Sequence, residues 1–143
     1  ELIREAIPAL RGGRDPVIVN IGSTLGYRAI PFQSEYCASK FALRGFSQSL
    51  RAELAPTGVD VLLVSPGTTD SEFFDHLIEK KMEMPWKTRP GVSPERVAKK
   101  TVRAIAKRNS EILPTSDGKL LVLASRFFPG VVDRIMIRFG SRR

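Results

Sequence analysis

Residues 17–21 read Val-Ile-Val-Asn-Ile, and residues 59–64 read Val-Asp-Val-Leu-Leu-Val. Both runs consist mostly of apolar side chains, interrupted by Asn20 in the first and by Asp60 in the second. Short apolar runs of this kind are typical of strands that are covered on both faces, as in a parallel sheet. We therefore predict two buried strands of a parallel sheet.

Helical segments alternate with these strands. The predicted helices cover residues up to about 10, 34–55 and 93–108, a short strand covers 111–114, and two short amphipathic helices cover 119–139 with a break at Pro129. Ser34 and Ser93 are the predicted N-caps, and Pro94 is favoured at a first helical position. This alternation indicates the α/β class, with a doubly wound, Rossmann-like parallel sheet.

Three strands are few for a sheet of this type, and an apolar helical pattern begins at Leu2 without a preceding cap. We therefore expect the 143 residues to form a single incomplete domain that carries the later strands and helices, with the amino-terminal half missing.

Composition excludes several classes of protein. The chain has one cysteine, Cys37, which rules out an intrachain disulfide and a multi-cysteine metal site and fits a reducing, cytoplasmic location. No apolar run approaches the ~18 residues of a membrane span. The formal charge is +8, but no zinc-finger or RNA-binding signature accompanies it, so we expect no nucleic-acid partner.

Tyr36 and Lys40 are the first candidates for chemistry. They stand four residues apart in a predicted helix and so share one face. A lysine ammonium near a phenol favours the phenolate, so we expect the pKa of Tyr36 to fall from about 10. Ser23 follows the strand 17–21 and is expected at the carboxyl end of the sheet, where ligands of open α/β sheets bind. Its hydroxyl could hold the same substrate oxygen that exchanges a proton with Tyr36.

With these residues in place, the sequence resembles the classical short-chain dehydrogenase/reductase family. The resemblance is carried by the segment Ile18–Gly26, by Pro31, by Tyr36-Cys37-Ala38-Ser39-Lys40 and by Pro66-Gly67-Thr68-Thr69-Asp70-Ser71, and it extends from about residue 6 to 114. It implies an NAD- or NADP-dependent oxidoreductase that interconverts an alcohol and a ketone or aldehyde.

The resemblance also implies a role for each matched residue. Tyr36 would be the general acid/base, Ser23 would bind and orient the substrate oxygen, and Lys40 would hold the nicotinamide ribose. The backbone near Thr69 and the Ser71 hydroxyl would contact the carboxamide. The cofactor-binding positions implied in this way are Tyr36, Lys40, Pro66, Gly67, Thr69 and Ser71.

Two substitutions depart from the family pattern, since Ser71 replaces the usual threonine and Gly22 replaces a common serine. The glycine-rich phosphate turn, the residue that selects NAD or NADP and the asparagine of the proton relay are all expected upstream of Glu1.

Residues 70–92 are expected to form a lid over the substrate. Phe73 and Phe74 are the predicted substrate contacts, and the apolar side chains of this segment favour an apolar substrate, although the same side chains could instead pack on the sheet. His76, the only histidine, is expected in this lid rather than in catalysis, and Cys37 is expected to be a packing residue.

Residues 118–143 are predicted to be basic amphipathic helices, and two interpretations of them remain open. They fit peripheral contact with a membrane surface, and they equally fit docking on the sheet or on a second subunit. For the complete protein we expect a homo-oligomer, either a dimer or a tetramer.

Other functions are compatible with parts of this pattern. A sugar-nucleotide epimerase or dehydratase shares the Tyr-x-x-x-Lys pair but generally has a larger carboxy-terminal substrate domain. A non-catalytic or truncated binding or regulatory protein could keep the same fold. The presence together of Ser23, Tyr36 and Lys40 favours catalysis.

Overall fold

The computed structural model describes residues 2–70 and 91–141. The elements in chain order are α1 (Leu2–Arg11), β1 (Val17–Ile21), a 3₁₀ turn (Thr24–Gly26), α2 (Ser34–Leu54), a second 3₁₀ turn (Ala55–Thr57), β2 (Asp60–Val64), α3 (Pro94–Ala106), β3 (Glu111–Ile112), α4 (Ser116–Phe127) and α5 (Pro129–Gly140). The predicted alternation of helices and strands is confirmed.

The three strands of the described residues form one parallel sheet in the order β1-β2-β3. Val17 pairs with Asp60 and Ile21 with Val64, so β1 and β2 run alongside each other for their full length. The third strand pairs only through its two residues, beginning with Glu111 opposite Leu63. All three strands therefore end at the same edge of the sheet, which is the edge where the predicted site residues follow them.

Helices cover both faces of this sheet. Ile18 and Val61 pack with Leu50 and Leu54 of α2, and α1 adds partly buried side chains to that cluster. On the opposite face, Leu62 and Val64 pack with Ala104 of α3. Because successive strand residues point to opposite faces, an uninterrupted apolar run is needed to fill both layers. Burial of each such leucine or valine contributes roughly 1.5–3 kcal/mol to folding.

One predicted cap is confirmed and the other is wrong. Ser93 caps α3, since its hydroxyl accepts a hydrogen bond from the Arg96 backbone N–H at 3.4 Å. Ser34 is instead the first residue of α2, and its hydroxyl donates to the Glu35 carboxylate. The cap position belongs to Gln33, whose backbone is not helical (φ −135°, ψ 37°) and whose side chain makes no capping bond.

Some predicted boundaries shift by a few residues. The third helix ends at Ala106 because Arg108 has φ 52°, which lies outside the right-handed helical region. The predicted strand 111–114 is paired only over Glu111–Ile112. The division of the last two helices before Pro129 is confirmed, although α4 begins at Ser116.

The predicted lid, residues 70–92, lies mostly outside the described residues. Thr69 and Val92, at or next to its two ends, form an isolated parallel bridge, with the Asp70 N–H bonded to the Val92 carbonyl at 3.0 Å. Within the described part of the chain, no helix is long and apolar enough to cross a bilayer.

Candidate active site

Two loops at the carboxyl ends of β1 and β2 form the floor of the candidate site. The Gly22 N–H donates to the Val64 carbonyl at 2.7 Å, and the Thr24 N–H donates to the Pro66 carbonyl at 2.9 Å. Ser23 lies between these two bonds and caps the 3₁₀ turn, since its hydroxyl accepts from the Leu25 N–H at 3.1 Å. The backbone around Ser23 is thus held by both the sheet and the turn.

Close packing of the 3₁₀ turn against α2 brings Ser23 to Tyr36. Gly26 is buried in this contact, and a Cβ atom at its position would lie only 2.6 Å from the Lys40 carbonyl oxygen. Only a residue without a side chain allows the turn to approach the helix this closely. The Ser23 hydroxyl lies within hydrogen-bonding reach of the Tyr36 phenol and lowers its pKa.

Lys40 lies one helical turn beyond Tyr36, on the same face of α2. Its Nζ is 5.4 Å from the centroid of the Tyr36 ring and donates to the Ile21 carbonyl at 3.3 Å. The structure thus brings together Ser23, Tyr36 and Lys40, the three residues that the sequence singled out.

The pKa of Tyr36 moves in the direction opposite to the one expected. Burial raises the pKa of the phenol above its ordinary value of 10.0, the hydrogen bond from Ser23 opposes this rise, and Cys37 adds to it. The expectation that Lys40 would lower this pKa is wrong for the arrangement described here. Its ammonium group lies over the ring and is bonded to the Ile21 carbonyl, while loss of water around the phenol disfavours the phenolate.

The loop after β2 contains three of the other predicted positions, Pro66, Gly67 and Thr69. The Gly67 N–H donates to the Thr115 hydroxyl at 2.9 Å, and the Thr68 N–H donates to the Asp117 carboxylate at 3.1 Å. Sequence reasoning missed Thr115 and Asp117, because they are 48 and 49 residues away from their partners and belong to no motif that was recognised.

A cavity of about 770 Å³ opens above these loops. Its polar lining includes Ser23, Tyr36 and Lys40, and its other walls come from α3, α4 and α5. The apolar side chains of those walls include Val97, Val102, Leu121 and Met136. Hydroxyl and ammonium donors therefore lie together at one end of a largely apolar space.

Several predicted residues cannot be placed. Ser71, Phe73, Phe74 and His76 lie outside the described residues. Cys37 is buried beside Tyr36 with a free thiol, as its predicted packing role requires. Over residues 2–70 and 91–141, no cluster of three or more metal-binding side chains occurs.

Comparison with known proteins supports the family resemblance. Residues 1–82, more than half of the chain, match the sequence profile of the short chain dehydrogenases. The chain belongs to this family.

Among curated relatives, dehydrogenase/reductase SDR family member 7B of Xenopus tropicalis is 35% identical over 136 residues, which cover 89% of this chain and 44% of the relative. The ketoacyl reductase HetN of a Nostoc species is 31% identical over 147 residues, covering 98% of this chain and 50% of the relative.

Solved structures of the family have the same fold. A short chain dehydrogenase from Burkholderia cenocepacia, in complex with NADP, matches with a TM-score of 0.76 at 23% identity and covers 94% of this chain and 52% of its own. A family member from Burkholderia phymatum, in complex with NAD, matches with a TM-score of 0.73 at 20% identity, and the match covers 90% of this chain and 53% of the Burkholderia phymatum chain. The predicted Rossmann-like fold is confirmed, and the chain spans about half the length of the relatives it matches.

Proposed function

We propose that this protein is an NAD- or NADP-dependent oxidoreductase that interconverts an alcohol and a ketone or aldehyde, with Tyr36 as the general acid/base. The observation that carries the proposal is that Ser23, Tyr36 and Lys40 line one cavity, with the Ser23 hydroxyl within hydrogen-bonding reach of the Tyr36 phenol. Two hydroxyls placed in this way can both reach one substrate oxygen, and one of them can transfer a proton to it.

Tyr36 can act as the acid in the reductive direction. A phenol is protonated at neutral pH, burial raises its pKa further, and the proton can be donated to a carbonyl oxygen. Ser23 would hold the same oxygen by a hydrogen bond and so fix the orientation of the carbonyl. In the oxidative direction the phenolate would have to form first, and the raised pKa means that deprotonation of Tyr36 costs more free energy than that of an exposed tyrosine.

The hydrogen-bonding groups of Lys40 and of the loop after β2 fit a nicotinamide nucleotide bound beside this substrate. The Lys40 ammonium lies one helical turn from Tyr36 and can donate to the hydroxyls of a ribose. Gly67 and Thr69 line the same cavity, and the backbone of Thr69 could bond a carboxamide, while the Gly67 N–H is already bonded to Thr115. When bound, the nicotinamide supplies or accepts the hydride. Family members crystallised with NADP or NAD support this part of the proposal.

We expect the substrate to be apolar in the part that lies away from its reacting carbon. Away from Ser23 and Tyr36, the cavity is lined largely by apolar side chains from three different helices. A polar substrate would lose its hydration there without gaining partners, which costs free energy. The contacts proposed for Phe73 and Phe74 would add to the same apolar wall.

The decisive experiment is Tyr36→Phe in the complete encoded protein. Consumption of NADH and NADPH is followed with a panel of apolar and polar ketones and aldehydes. Loss of proton transfer should lower kcat by about 10²–10⁴-fold, whereas cofactor binding, followed by nicotinamide fluorescence, should change little. The matched control is Tyr27→Phe, because Tyr27 bonds to Glu111 and does not line the cavity.

Unchanged turnover in Tyr36→Phe would refute the proposed chemistry. Absence of turnover in the wild-type protein with the whole panel, together with intact cofactor binding, would instead favour the non-catalytic binding protein.

Peripheral contact with an anionic membrane surface is a further part of the proposal. The last two helices expose large apolar side chains, among them Leu120, Leu123, Phe127, Phe128, Val131, Ile135 and Ile137. Arg126, Arg134 and Arg138 lie in the same two helices, and their charge complements anionic lipid headgroups. A second copy of the chain on this surface is the competing occupant, although it would bring arginines of both copies together.

Flotation with vesicles tests this contact. We expect binding to vesicles that contain phosphatidylglycerol and weaker binding to pure phosphatidylcholine. Dimers in light scattering without binding to either vesicle would favour the second copy.

A further inference from the structure

The first turn of α4 packs into the junction between the two loops of the site. Gly118 is buried against the loop that carries Ser23, and a Cβ atom there would lie 2.5 Å from the Thr24 side chain. A Cβ atom on Gly67 would lie 2.5 Å from the Thr115 hydroxyl and 2.8 Å from the Asp117 carboxylate. Three segments that are distant in sequence therefore meet with no space for an additional side-chain atom.

Hydrogen bonds connect the same segments. The Gly67 and Thr68 N–H groups donate to Thr115 and Asp117, at 2.9 and 3.1 Å. The Thr115 and Thr68 hydroxyls and the Gly118 N–H also lie near the Asp117 carboxylate and lower its pKa. Burial raises the pKa of Asp117, but these hydrogen bonds outweigh it and hold the pKa below its ordinary value, so the group is charged at neutral pH.

Thr115 does not serve its own helix in the usual way. A threonine at an N-cap normally accepts a hydrogen bond from the second or third residue of its helix. Thr115 occupies the N-cap of α4 but makes no such bond, and its buried hydroxyl accepts from Gly67 instead. Its side chain therefore stabilises the loop after β2 rather than the helix that follows it.

This loop faces the cavity. Pro66, Gly67, Thr68 and Thr69 all line it, and the Thr24 N–H bond to the Pro66 carbonyl ties the loop to the turn that carries Ser23. A displacement of the loop would change its distance from Ser23 and Tyr36 together.

We propose that Asp117 and Thr115 are positioning residues of the active site, which hold the loop Pro66–Thr69 at the place where it meets the nicotinamide. The inference rests on the proposed function, because it assigns this loop to cofactor binding. Neither residue takes part in proton transfer; they act through the backbone of Gly67 and Thr68.

The test uses Asp117→Ala and Thr115→Val in the complete encoded protein. The hydrogen bond that Asp117 accepts from the loop is partly exposed, so we expect its loss to raise the KM for the cofactor roughly tenfold, equivalent to about 1.4 kcal/mol. The KM for the carbonyl substrate at saturating cofactor should change little. Thr115→Ser keeps the hydroxyl and should restore the cofactor KM.

The control variant is Asp133→Ala, which removes a carboxylate of α5 that pairs with Arg28 at 2.6 Å rather than with the loop Pro66–Thr69. A purely structural role of Asp117 would lower the active fraction, and with it the apparent kcat, without changing the cofactor KM. An unchanged cofactor KM in Asp117→Ala would therefore overturn the inference. Because Tyr36→Phe tests proton transfer separately, a failure of the proposed function would be recognised independently.

Discussion

Replacing Gly26 with alanine should separate Ser23 from Tyr36. The added methyl group would lie 2.6 Å from the Lys40 carbonyl oxygen and 3.0 Å from its carbonyl carbon. The shorter distance is about 0.8 Å less than an ordinary contact of 3.4 Å. Because both atoms belong to the backbone of α2, no side-chain rotation can relieve the contact, and the turn must move away from the helix.

The displacement has two measurable consequences. Overpacking at a buried position costs about 1–3 kcal/mol in the free energy of unfolding. Misplacement of a catalytic group by close to 1 Å lowers the rate by about 10²-fold. We therefore expect the kcat/KM of Gly26→Ala to fall by about two orders of magnitude while the protein remains folded.

The assay is carbonyl reduction, followed by cofactor oxidation, together with urea denaturation of the same preparations. Gly45→Ala is the matched control, because Gly45 lies in α2 and a Cβ atom there would meet nothing within 4 Å. Alanine is the better helix former, so this control should have a free energy of unfolding about 0.5–1 kcal/mol higher than that of the wild type, with full activity. A Gly26→Ala protein with wild-type kcat/KM would refute the reasoning that this close approach sets the Ser23–Tyr36 geometry.

Two further predictions follow from buried polar groups. The Asn20 amide donates to the Ser47 hydroxyl at 2.9 Å between the sheet and α2. In urea denaturation, Ser47→Ala should therefore lower the free energy of unfolding by about 1–3 kcal/mol. The control Ser49→Ala, on the exposed side of the helix, should change it by less than about 0.5 kcal/mol. Burial raises the pKa of Tyr36 above 10.0 in the folded state. The protonated phenol therefore contributes stability that is fully present below pH 10.0 and is lost as the pH rises through the pKa of the folded state. The difference in stability between wild type and Tyr36→Phe should therefore shrink on titration above pH 10.0, and a pH-independent difference would contradict this.

Much of the site followed from local sequence pattern. The four-residue spacing of Tyr36 and Lys40 places both on one helix face in any α-helix, and a residue that follows a buried parallel strand must lie at the carboxyl edge of the sheet. These relations depend only on helix periodicity and strand direction. The local segment around Ser34 was harder to interpret, because a serine next to Glu35 can bond to that side chain as readily as to the helix backbone.

The sequence by itself determined the α/β alternation, the buried strands and the shared helix face of Tyr36 and Lys40, because apolar runs and residue spacing act over a few residues. Tertiary structure alone decided the burial of Tyr36, which raises the pKa of its phenol, and the anchoring of the Gly67 loop by Thr115 and Asp117. The loss of water around a phenol depends on everything packed against it, and contacts between residues nearly fifty positions apart exist only when the folded chain brings them together.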